Sequence, residues 1–182
     1  KGKVENLTVE NAKVSGYLGV GAIAGCPYTS DYENITLTGH VEINGFAYVG
    51  GMLGRNLYAD ATDMTINVDS SSYVKANSVE GDTAYRTYVG GVIGFMGEGN
   101  HTVSNVESNI DVIGSTTDVG GITGIAHYGN TFENISCSGD VTITDATEEG
   151  DALEMGGIAG VWHNGGEDVT ITNCEFTGDL KA

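Results

Sequence analysis

The sequence predicts an all-β protein, a β-solenoid of five to six coils of about 29 residues in which two coils carry loop insertions. Two observations predict it. A six-residue phrase, apolar-Gly-small-apolar-x-Gly, recurs as Val20–Gly25, Val49–Gly54, Val89–Gly94, Val119–Gly124 and Met155–Gly160. A second phrase built on Asn alternates with it, at Asn6-Leu7, Asn34-Ile35, Asn105-Val106, Asn134-Ile135 and Asn173-Cys174, with Asp63-Met64 as a looser copy. In both phrases β-branched residues alternate with small or polar ones, as in Val141/Ile143 and Val169/Ile171, which is strand rather than helix periodicity. Serial repeats are counted as one elongated unit, so residues 1–182 are expected to form a single solenoid domain, a segment of a larger protein.

Each element of the repeat has a physical reason. The columns Val20, Val49, Val89, Val119, Met155 and Ile23, Met52, Val92, Ile122, Ile158 are apolar in every copy and are expected to form inward ladders. A Gly at fixed places in Gly-Gly-x-x-Gly either permits positive φ or lets one coil's backbone approach the next. The Asn column is expected to bond the turn backbone or itself from coil to coil. Cys174 falls in the column of Leu7, Ile35, Met64, Val106 and Ile135, and Cys137 in that of Val9, Leu37, Ile66, Ser108 and Phe176; both are expected to be small buried hydrophobes too far apart for an unstrained disulfide.

Val119-Gly120-Gly121-Ile122-Thr123-Gly124, followed about ten residues later by Asn134-Ile135-Ser136-Cys137-Ser138-Gly139 and Val141, resembles the GLUG repeat. That motif occurs in bacterial surface proteins, including adhesin-like proteins and the repeat regions of immunoglobulin A-cleaving metalloproteases. The resemblance implies a non-catalytic, surface-exposed repeat domain, secreted or at the cell surface, acting as spacer or as adhesion surface toward a host or bacterial surface protein or a glycan, flanked by other domains of the same chain. The alternative is a substrate-docking or catalytic module of a surface hydrolase or protease.

Charge excludes some partners. With 25 Asp and Glu against seven Lys and Arg, a net charge of −18 repels nucleic acid and anionic lipid. No run of about 18 apolar residues is present, so membrane insertion is not expected. Enzyme motifs are missing as well. There is no His-Glu-x-x-His, Gly-x-Ser-x-Gly or P-loop, and five scattered lysines with two arginines do not build a uronate-cleaving site. An ice-binding face fails because its column, Thr8, Thr36, Thr65, Glu107, Ser136, Glu175, carries two charges.

Function is sought where the repeat is interrupted. The closing glycines at 25, 54, 94, 124 and 160 are 29, 40, 30 and 36 residues apart, so two coils are extended. The first insertion is read at 70–86 and the second at 145–154, both at the same stage of the coil. Tyr73, Tyr85 and Arg86 are the expected ligand anchors on one wall of a notch, against the reading of the loops as decoration. No cofactor is implied; Asp145, Glu148, Glu149 and Asp151 form the loop that offers oxygens to Ca²⁺, without the spacing of an EF-hand. His127 and His163 are expected to stack in successive coils, two imidazoles that would need a third ligand to hold Zn²⁺.

Overall fold

A computed structural model of the chain describes residues 2–77, 86–115, 118–144, 154–163 and 165–182. Among them all regular structure is strand, arranged in four all-parallel sheets that each coil visits in the same order. The first sheet holds six long strands, Gly2–Glu10, Ser30–Gly39, Ala61–Val68, Thr102–Ser108, Thr131–Cys137 and Thr170–Phe176. The second holds six short ones, from Lys13–Ser15 to Leu180–Lys181. The third runs through the Val-Gly of the glycine phrase, from Leu18–Val20 to Met155–Gly156, and the fourth follows it as Leu53–Asn56, Ile93–Met96, Thr123–His127 and Ala159–His163. Strands pair with the coil before and the coil after, which is the β-solenoid expected.

The Asn phrase is a corner. Asn6, Asn34, Asp63, Asn105, Asn134 and Asn173 all sit at φ between 53° and 55°, the left-handed region that short polar side chains tolerate best. One such residue reverses the pleat, so inward positions are spaced three and then two apart: Tyr32, Ile35 and Leu37 are buried while Glu33 and Asn34 are exposed. The asparagines face outward and bond one another. Asn34 Nδ2 donates to Asn6 Oδ1 at 2.7 Å, Asn134 to Asn105 at 3.2 Å and Asn173 to Asn134 at 3.2 Å.

The glycine phrase folds the third sheet back onto the fourth, and close approach is the reason for its glycines. A Cβ on Gly124 would stand 2.6 Å from the backbone nitrogen of Val89 and 2.8 Å from the carbonyl oxygen of Gly94. Positive φ is not needed there. The core is a set of axial columns, with Val49, Val89 and Val119 in register and Ile35, Met64, Val106 and Ile135 in register, all at 2% exposure or less. Cys137 is buried and Cys174 half-buried, in different columns, and both are free thiols; burial pushes the Cys137 thiol up to about 11.

Both extended coils depart from the same corner, between the second and third sheets. The first insertion begins later than its sequence reading. Tyr73–Ala76 is a strand paired with Glu42–Gly45 on one side and Asp111–Gly114 on the other, because Val74 and Ala76 continue the inward column. Tyr73 therefore lies on the second sheet, not on a loop.

Candidate functional site

The corner below the insertions is acidic, with Asp118 buried in it. Register places Asp118 between Tyr88 of one extended coil and Glu154 of the other. Asp118 has no exposed surface, and among the described residues neither carboxylate oxygen makes a well-aligned hydrogen bond, although the Glu154 carboxyl stands close beside it. Arg86 Nη2 lies 3.9 Å from Asp118 Oδ1. Burial, followed by the neighbouring Glu154 carboxyl, pushes Asp118 up to about 7, and Arg86 opposes that only in part. Arg86 is thus occupied by an internal acid.

Of the expected anchors, Tyr73 and Arg86 are not brought together. Tyr73 receives a bond from Asn44 Nδ2 at 3.4 Å on the second sheet, whereas Arg86 stands at the start of the third; no hydrogen bond or ring contact joins them. Tyr85 lies outside the described residues, as do Asp145, Glu148, Glu149 and Asp151. Among the described residues no group of three His, Cys, Asp or Glu is arranged to hold a metal ion.

Sequence reasoning missed a groove on the outer face of the third and fourth sheets. The residue after each closing glycine points outward, giving the column Arg55, Phe95, Ile125, Val161. The residue before each Val of the phrase gives a second column, with Tyr48 and Tyr88 stacked at 5.6 Å and 10°. The Arg55 guanidinium lies 5.2 Å from the Tyr48 ring centroid and 5.3 Å from that of Phe95, within cation–π range. Phe95 also meets Tyr48 at 5.3 Å, Tyr88 at 5.6 Å and His127 at 5.1 Å. The rings form one continuous platform.

Beside it lies a cavity of about 320 Å³ lined by Arg55, Tyr58, Phe95, Glu98, Tyr128 and His163, among others. The sequence reading placed His127 and His163 together, and they are: their rings are 4.7 Å apart and the two Nδ1 atoms 3.3 Å apart, so one imidazole donates to the other. Burial first, then His163, holds His127 below the ordinary histidine value. Tyr128 donates its hydroxyl to Glu98. Behind the groove the buried Asn130 donates to the carbonyls of Gly97 at 2.6 Å and His127 at 2.9 Å, fastening two coils under the floor.

Tyr48 carries strain. Its φ of 56° is in the left-handed region, which for a bulky side chain costs on the order of 1–3 kcal/mol and clusters at ligand-binding positions. Stacking against Tyr88 and Arg55 holds it there. The signals available in the sequence were the two positions themselves, one residue past each closing glycine and one residue before each Val of the phrase, whose occupants differ from coil to coil.

No family model matches the chain, and no solved structure matches it. The GLUG resemblance therefore rests on the residues quoted above. The chain is similar to Halomucin from Haloquadratum walsbyi, with 29% identity over an aligned length of 157 residues; the match covers 81% of this chain and 2% of Halomucin. It thus spans a small fraction of the length of that relative, and what the similarity carries is a repeat segment related to part of a very large protein.

Proposed function

We propose that the chain is a non-catalytic β-solenoid segment of a secreted or cell-surface protein, serving as a spacer and presenting its third- and fourth-sheet face as an adhesive surface. The observation that carries the adhesive part is the aromatic platform with its neighbouring cavity. Half-exposed Tyr, Phe, Arg and His in one concave strip are the residue types that dominate recognition sites, and the strained Tyr48 marks that strip rather than the structural core. The acidic surface supports a soluble, extended spacer, and the similarity to Halomucin supports a surface setting. Bacterial origin and kinship with adhesins follow from the GLUG resemblance alone.

The test is adhesion of the immobilised segment to arrays of glycans and matrix proteins, compared with Tyr58→Ala and Phe95→Ala. Loss of a specific signal in both variants, with unchanged circular dichroism, is the expected result; a signal indifferent to both removes the groove from the reading. Labelling of intact cells with an antibody to the segment tests the location.

A hydrolase or protease module has one observation in its favour, the Asp118–Glu154–Arg86 cluster with its raised carboxyl. The burial of Asp118 weighs against it, because a carboxyl without exposed surface does not reach a substrate.

A further inference from the structure

Arg55 is the feature the adhesive reading leaves unexplained. In a chain with 25 acidic and seven basic side chains, cations are expected to find carboxylates. Lys3, Lys13, Arg86 and Lys181 each do so within 4.0 Å. Arg55 does not. Among the described residues it makes no ion pair, its Nε is buried without a hydrogen-bond partner, and its contacts are with the Tyr48 and Phe95 rings. Contact with the rings uses none of the Nη N–H donors, which remain for a planar oxyanion, the partner that Arg binds in bidentate fashion.

We infer that the groove binds an acidic sugar, the carboxylate of a carboxylated pyranose on the Arg55 edge and the pyranose on the neighbouring aromatic faces. This rests on the adhesive reading of the same groove and names its ligand class. A pyranose presents a flat array of C–H bonds that packs on aromatic rings, and the exposed Tyr58 offers such a face. Its hydroxyls need donors and acceptors, which Glu98, Tyr128 and His163 supply around the cavity. The volume of about 320 Å³ is at the lower end for small-molecule sites, suited to one or two sugar units. A peptide adding as a strand would need an unpaired backbone edge, whereas Ile93–Met96 and Thr123–His127 are paired on both sides. The net charge of −18 opposes anions at long range, but at about 0.15 M salt charges beyond roughly 8 Å are screened; among the described residues Glu98 is the carboxylate lining the cavity, and Asp118 follows Tyr88 in the neighbouring column.

The experiment titrates the whole segment with an oligogalacturonate and with the same oligosaccharide after reduction of its carboxyls to alcohols, by NMR or calorimetry at about 0.15 M NaCl. The acidic sugar is expected to bind roughly tenfold to a hundredfold more tightly, the worth of a charge-assisted bond. Arg55→Gln should remove that preference and leave binding of the reduced sugar within about twofold; Arg55→Lys, which keeps charge without the fork, should recover only part. Tyr58→Ala should weaken both sugars. Equal binding of the two sugars, or an acidic preference that survives Arg55→Gln, overturns the inference and leaves the adhesive reading standing. Failure of both sugars while the segment still adheres to the arrays overturns the inference alone; failure in both assays overturns both.

Discussion

Asp63→Asn should stabilise this protein, although it adds no burial and touches nothing in the core. Along the outward ladder the amide of each coil donates to the side-chain oxygen of the coil before it, and Asn105 Nδ2 donates to Asp63 Oδ1 at 2.8 Å. The Asp63 side chain has no N–H. Its carboxylate accepts from Asn105 but gives nothing to Asn34, and that step is the missing rung. Asn at 63 tolerates the φ of 54° at least as well and supplies the donor. One exposed hydrogen bond nets about 0.5–1.5 kcal/mol; exchanging the charged acceptor of Asn105 for a neutral one returns part of it. The expected gain is therefore about 0.5–1 kcal/mol, or roughly 1–4 °C in Tm for a chain of this size.

Removing one charge from a chain at −18 also relieves self-repulsion, so a control is needed. Glu107→Gln changes the charge equally on the same sheet, two residues past the corner Asn105 and likewise exposed. Thermal and urea unfolding of both variants, at low salt and in about 1 M NaCl where the Debye length is about 3 Å, separate the two effects. Charge relief fades with salt and the rung does not. Asp63→Ala, which removes the acceptor of Asn105 and leaves an unsupported left-handed residue, should cost about 2–3 kcal/mol. If Asp63→Asn is no more stable than Glu107→Gln, or loses its advantage in salt, the ladder contributes nothing and its regularity is only a consequence of the corner.

Asp118 gives a pH prediction: the folded state keeps a proton up to about 7 that the unfolded chain releases near 3.8. Its stabilisation is present below pH 4 and lost as pH rises through 7, by up to about 4 kcal/mol; urea unfolding at pH 4.5 and 7.5 should show that slope, and Asp118→Asn should flatten it. His127, held below its ordinary value, acts in the opposite sense, lowering stability as pH falls through about 6.5, and His127→Gln should remove that limb. Gly124→Ala places a methyl group against backbone atoms of Val89 and Gly94 and should cost about 3 kcal/mol, seen as a lowered urea midpoint; an unchanged midpoint would show that the coils can separate. Millimolar CaCl2 is expected to shift Tm no more than NaCl of equal ionic strength, and an additional rise abolished by Asp151→Asn would assign calcium to the 145–151 loop.

The fold was legible because every coil imposes the same demands on its interior. Val49, Val89 and Val119 must each fill the same space, and the closing glycines must each admit a neighbouring backbone, so the demand appears as repetition. Two local details were not legible. The left-handed Asn reverses the pleat, so the inward set Tyr32, Ile35, Leu37 breaks strict alternation. Tyr73–Ala76 resembles insertion because the extra length is countable while its place is not; only pairing on both sides shows that the strand belongs to the second sheet.

The groove was hidden for the reason the fold was visible. Outward positions away from the Asn corner answer to no shared packing demand, so Arg55, Phe95, Ile125 and Val161 form one column without resembling one another. Rings more than a hundred residues apart in sequence, from Tyr48 to His163, join one platform because each coil advances the chain by only about 4.8 Å along the axis. Motif searching reads along the chain, where these residues are isolated. Aligning the closing glycines and reading across the coils puts Arg55 directly beside Phe95, and it is that transverse reading that exposes an arginine seated on aromatic rings without a carboxylate. In a solenoid the inward columns specify the scaffold by repeating, and the outward columns are free to specify a ligand by departing from repetition.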